Sequence, residues 1–145
     1  MPPEQFKNLR LHTYHLDGST YLEVFFPQFK DYQSRYEKLT HDLPERYKIY
    51  AAAALGEYGY LVNGGVVNGS VIRWQELIKA LWKSGIFAKL ENVASPVFLE
   101  IGGGYGSLAH HVHKIFPKSL YIIVDIPETL LFSASYLTLL HGPGR

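Results

Sequence analysis

Cysteine is absent from the 145 residues, which excludes a disulfide framework and any thiolate-bound metal and fits a reducing compartment. No run approaches the roughly 20 consecutive apolar residues of a membrane-spanning helix. The start, Met1-Pro2-Pro3-Glu4, also lacks the basic and apolar regions of a secretory signal. The chain therefore reads as cytoplasmic and without a membrane partner. An excess of either charge is missing too: fourteen basic against thirteen acidic residues leave a formal +1, so no electrostatic footprint points to nucleic acid. Internal repeats and low-complexity tracts do not occur.

What is present is a hydrophobic content of 47% against 19% charged residues, the balance of an ordered globular chain long enough for one core. Residues 1–90 read as a helical N-terminal region. Its first part is ambiguous, because Asp17-Gly18 signals a hairpin while Thr20 and Glu23 form a capping box for a short helix over 21–26. Phe29, Tyr32, Tyr36 and Leu39 then mark one face of a helix over 28–39. Asp42, Pro44 and Glu45 signpost a second helix running through Tyr47, Tyr50, Ala51, Ala54 and Leu55 to Gly56. Two Asn-Gly steps between Gly56 and Gly69 make either a glycine-rich loop or a small hairpin, read as a surface connection rather than a lid. Ser70 caps a third helix whose inward face carries Trp74, Leu77, Ile78, Leu81 and Trp82. Gly85 ends it, and 86–95 connects onward.

Residues 91–145 carry the chemistry. Val97 to Ile101 is a short apolar run rich in β-branched and aromatic residues between Pro96 and glycine, the pattern of a buried parallel strand. Gly102, Gly103, Gly104 and Gly106 then bend the chain and allow a ligand close to the backbone. Ser107 to Phe116 supplies a helix with Leu108, Val112 and Ile115 or Phe116 inward. Leu120 to Asp125 is a second buried strand, and Pro127 opens a helix through Leu130, Leu131, Ala134, Leu137 and Leu140. Strand, helix, strand, helix makes two parallel neighbours whose ligands bind beyond the carboxyl ends, where the glycines and Asp125 meet.

Gly104-x-Gly106-x-x-Ala109 with Asp125 downstream fits a dinucleotide site, so a nicotinamide or flavin ligand is a rival. The glycine turn begins earlier than that register needs, at Gly102. Glu100 also sets a carboxylate at the strand end, which repels pyrophosphate. Two acids beside the turn favour a cationic, phosphate-free adenosyl ligand instead.

The pattern Glu100-x-Gly102-x-Gly104-x-Gly106, with Asp125 nineteen positions after Gly106, resembles the first motif of S-adenosylmethionine-dependent methyltransferases. Together with Val124-Asp125-Ile126-Pro127-Glu128, it resembles the sugar O-methyltransferase family more narrowly, over about 45 residues from Pro96 to Leu140. The resemblance implies an α/β fold, a helical N-terminal region followed by the first βαβα units of a Rossmann-like sheet. It implies S-adenosylmethionine as cofactor and a hydroxyl of a sugar or other small molecule as acceptor. Gly102, Gly104 and Gly106, with Gly103 and Tyr105 between them, would shape the turn beneath the methionine part. Glu100 would orient its ammonium, Asp125 would accept from both ribose hydroxyls, and Ile126 would lie near the adenine. For Asp125 the plainer alternative is an acid at a helix N-terminus. For Glu100 it is a strand-end acid bonded to loop amides.

His110 and His113 share a helix face while His111 points about 100° away, so three ligands do not converge and no metal site is expected. A solvated or partly packed helix is expected there. No general base is visible. Since only two strands can be found, the chain reads as the cofactor-binding first half of such an enzyme. A fragment of a nicotinamide-dependent oxidoreductase and a non-catalytic truncated remnant are the alternatives.

Overall fold

The computed structural model describes residues 31–52 and 59–142; the ambiguous stretch before residue 27, and Phe29, lie outside the described residues. The protein is a mixed α/β chain in two compact units, Met1–Lys79 and Ala80–Arg145. Among the described residues no helix is long and apolar enough to cross a membrane.

The first unit is organised around Tyr36. Asp31 caps helix α1 (Tyr32–Thr40) by accepting from the Ser34 amide at 3.1 Å. That turns Tyr32 and Tyr36 inward, and the fully buried Tyr36 hydroxyl donates to the Ile49 carbonyl at 3.0 Å. The second expected helix is corrected. Among the described residues a single 3-10 turn forms, at Glu45–Tyr47, and residues 48–52 are not helical; Ala54, Leu55 and Gly56 lie outside the described residues. The reason lies in where the backbone groups go. The buried Gln75 side chain accepts from the Ile49 amide at 2.9 Å and donates to the Tyr47 carbonyl at 3.0 Å, and the Ala51 amide donates to Val66 at 2.8 Å. These partners hold the segment out of a helix, whatever its caps prefer.

The stretch with two Asn-Gly steps is a hairpin, with β1 (Tyr60–Val62) antiparallel to β2 (Gly65–Val67). Asn63 and Gly64 both take positive φ, at 50° and 83°, as the right-twisting two-residue turn demands. The N-terminal region is therefore not purely helical. Helix α2 (Gly69–Lys83) starts under Asn68, whose side chain accepts from the Val71 amide at 3.0 Å, two residues before the expected Ser70 cap. Its buried residues are Ser70, Val71, Ile72, Gln75 and Ile78. Trp74, Leu81 and Trp82 are only half-buried and Leu77 is exposed, so the inward face is rotated from the expected one toward the polar Gln75, whose amide oxygen and nitrogen each bond a backbone group.

In the second unit Gly85 takes the left-handed conformation, at φ 76°, and the connection after it contains a short helix α3 (Ile86–Leu90) that periodicity did not mark. Strands β3 (Val97–Ile101) and β4 (Leu120–Val124) pair in parallel, from Val97 opposite Leu120 to Ile101 opposite Val124. Helix α4 (Ser107–Ile115) joins them, and α5 (Pro127–His141) follows with Pro127 in its first turn. One sheet face is covered. Phe98 lies 5.6 Å from Phe116 and 5.9 Å from Tyr121, ring centre to ring centre, and Phe87 meets Phe116 edge-on at 5.2 Å. The other face corrects the expectation of two buried strands. Val97, Leu99, Ile101, Leu120, Ile122 and Val124 are 41–82% exposed, because alternation sends every second side chain away from the helices. In α5 the buried residues are Ser133 and Tyr136, while Leu131 and Ala134 of the expected face are exposed.

Candidate functional site

The register of the parallel pair sets the geometry. With Ile101 opposite Val124, both strands end at one edge, and the Gly102 amide extends the ladder by donating to the Val124 carbonyl at 2.8 Å. Gly102, Gly104 and Gly106 then take φ of 78°, 56° and 89°, a run of left-handed positions that only glycine occupies without strain. Gly103 is needed for another reason. A Cβ there would lie 2.6 Å from Ile123 Cγ2 and 3.2 Å from Glu100 Oε2, so the turn lies directly against β4 and the Glu100 carboxylate.

Asp125, one residue past β4, reaches back across this turn. Its Oδ2 accepts from the Gly104 amide at 3.0 Å and its Oδ1 from the Ile126 amide at 2.8 Å. Helix α5 has no side-chain cap, so the carboxylate is tied to the glycine turn rather than serving as an ordinary cap. Glu100, on the helix-covered face of β3, accepts from the Tyr121 hydroxyl at 3.0 Å through Oε2. Burial raises the Tyr121 phenol pKa well above its ordinary value, and the Glu100 charge and hydrogen bond raise it further, so the phenol stays a donor. Ile126 is exposed at the same edge.

The structure thus brings Glu100, Gly102, Gly103, Gly104, Gly106, Asp125 and Ile126 to one edge of the sheet. Tyr105 is the exception among the site residues. Its ring is buried and packs edge-on against Tyr136 at 4.9 Å, so it anchors the turn to α5. Tyr121 is the residue that motif reading missed. The signal was strand parity: Tyr121, Ile123 and Asp125 alternate onto one face, and Tyr121 stands opposite Phe98, two residues from Glu100.

The histidines are more buried than a solvated helix would leave them. His110 and His111 are both in the core. His110 Nδ1 lies 3.0 Å from His141 Nε2, and the His113 and His141 ring centres are 4.8 Å apart. His111 Nε2 lies 3.4 Å from the Ser107 hydroxyl. Burial, reinforced by neighbouring cationic groups, lowers the pKa of His110 to about 4 and that of His111 to about 3, so both are neutral at physiological pH. Among the described residues no three acid or histidine side chains form a set that could hold a metal ion. A cavity of about 160 Å³, lined in part by His113, Leu120 and His141, lies at the start of β4, at the other end of the strand from Asp125.

Comparison of the chain with protein-family models, with curated proteins and with solved structures finds no match.

Proposed function

We propose that the glycine turn and its two acids form an adenosyl-cofactor site, in an α/β unit of Rossmann type. The particular reading is S-adenosylmethionine-dependent O-methyl transfer to a hydroxyl of a sugar or similar small molecule. The observation that carries it is the bond from the Gly104 amide to Asp125 Oδ2 at 3.0 Å. It ties the acid ending β4 to the turn ending β3. A carboxylate so held can accept two hydrogen bonds from a cis-diol.

The donor set suits this ligand. S-adenosylmethionine brings a sulfonium and an α-ammonium and no phosphate, and Glu100 and Asp125 supply the compensating charge. The same carboxylates disfavour the pyrophosphate of a dinucleotide. The cofactor supplies an already activated methyl group. The residues of this chain have then to bind and orient it: Gly102, Gly104 and Gly106 beneath the methionine part, Glu100 toward the ammonium, Asp125 toward the ribose, and Ile126 beside the adenine.

Calorimetric titration of the chain with S-adenosylmethionine and, separately, with NAD tests the reading. Saturable binding of the first, lost in Asp125→Ala while the variant keeps its unfolding temperature within a few degrees, is the expected result. Binding of NAD in its place would move the assignment to an oxidoreductase. Equal S-adenosylmethionine affinity in the wild type and Asp125→Ala would remove the ribose role.

A further inference from the structure

Neither acid of the site stands alone on its strand, and the partner of Glu100 has no part in the glycine motif. The Tyr121 hydroxyl donates to Glu100 Oε2 at 3.0 Å from the neighbouring strand. Both residues are half-buried on the helix-covered face. The Tyr121 ring lies nearly parallel to Phe98, 15° between planes at 5.9 Å, and Phe98 in turn packs on Phe116. The phenol is therefore held by an aromatic stack with little rotational freedom, and its oxygen is presented to the carboxylate from a fixed direction. Above that carboxylate is Gly103, where even a methyl group would come within 3.2 Å of Oε2. Tyr121 from the side and the glycine turn from above leave the Glu100 head group a narrow range of positions.

We infer that Tyr121 is the positioning residue of the cofactor site, fixing the Glu100 carboxylate beneath the turn so that it meets the α-ammonium of an aminoacyl-adenosyl ligand in one orientation. The inference rests on the cofactor reading above and deepens it. Tyr121 touches no ligand itself; it acts through Glu100. A carboxylate that has already lost its rotational freedom gives up less on meeting the ammonium than a mobile one. The phenol also contributes no competing charge, because it stays protonated. Phenylalanine at 121 would keep the aromatic stack and remove only the donor.

The experiment compares two probes on the full chain by calorimetry. S-adenosylhomocysteine carries the adenosine and the amino-acid end, whereas 5′-methylthioadenosine carries the adenosine alone. Tyr121→Phe is expected to weaken S-adenosylhomocysteine about tenfold, the scale of a lost hydrogen bond to a charged group, and to leave 5′-methylthioadenosine unchanged. In a Glu100→Gln background the same substitution should add no further loss. An equal fall for both probes would mean that Tyr121 only supports the fold, and an unchanged affinity for both would mean that it does not position Glu100. Either overturns the inference while the cofactor reading stands. A wild type that binds neither probe overturns the cofactor reading itself.

Discussion

At Gly103 a single methyl group decides whether the turn can lie on the sheet. Its nearest neighbour would be Ile123 Cγ2 at 2.6 Å, and that methyl sits on a β-branched carbon with little freedom to swing away. Gly103→Ala should therefore cost about 1–3 kcal/mol as local overpacking, read as a lowered midpoint in urea unfolding. Gly102 is a control of a different kind. A Cβ there meets nothing within 4 Å, but φ is 78°, so Gly102→Ala should cost only the left-handed penalty of about 1 kcal/mol. If the two variants unfold at the same midpoint, close packing against Ile123 is not what requires glycine at 103. Asp125 makes the same point for polar groups: both of its oxygens accept backbone amides, one of them 21 residues away in sequence. This accounts for a strand-end acid that does not simply cap the following helix.

Among the elements, the segment after α1 departs furthest from its local signals. Its acid, proline and glutamate say helix, yet Gln75 of α2 takes the Ile49 amide and the Tyr47 carbonyl. Gln75→Leu keeps the volume and leaves both backbone groups buried without these partners, a loss on the order of 3 kcal/mol. Gln75→Glu keeps the acceptor for the Ile49 amide but sets a carboxylate oxygen, with no proton to donate, against the Tyr47 carbonyl in a fully buried site. At neutral pH it should therefore lose more than Gln75→Leu, and thermal unfolding of the pair ranks them. The second unit was more legible, and for a physical reason. Its strands and helices are bounded by glycine and proline, at Pro96, Gly102, Gly106, Pro117 and Pro127, and such punctuation acts locally. What the sequence left open was which helix face turns inward. Gln75 in α2 is buried against Ile49 and Tyr47, and Tyr136 in α5 against Tyr105, all far away in the chain, and periodicity cannot see those partners. The candidate site divides in the same way, since Glu100, the glycines and Asp125 are read from spacing while Tyr121 needs the strand register.

Helix α4 gives the pH dependence of the fold. His110 and His111 have their pKa values pushed down, to about 4 and about 3. His110 faces His141 and His113, with Lys114 nearby, and Lys114 also bears on His111, so each added proton meets burial and like charge. The unfolded chain takes up these protons near pH 6.5, before the folded one does, so stability is lost as pH falls from about 6.5 toward 4. Each histidine contributes a slope of about 1.4 kcal/mol per pH unit in that window. His111→Gln should flatten the dependence, measured as unfolding midpoints between pH 7 and pH 4.5. A slope unchanged by the substitution would assign the acid sensitivity elsewhere.

For the molecule as a whole, the dominant unbalanced feature is the open face of the β3–β4 pair. Parallel strands are ordinarily covered on both sides, whereas here six Val, Leu and Ile side chains of one face are 41–82% exposed. They form one contiguous apolar patch, because in-register pairing sets Val97 beside Leu120, Leu99 beside Ile122 and Ile101 beside Val124. Patches of this kind drive association, and a formal charge of only +1 gives little electrostatic repulsion to oppose it. The 145-residue chain should therefore bind a hydrophobic dye in its native state and show a molar mass that rises with concentration in light scattering. Leu99→Lys with Ile122→Lys should abolish both. The unfolding midpoint should hardly change, since neither side chain is buried in the unit that carries it and long lysine stems tolerate an apolar surface. A large loss of stability in the double variant would mean instead that this face is packed within the chain in solution.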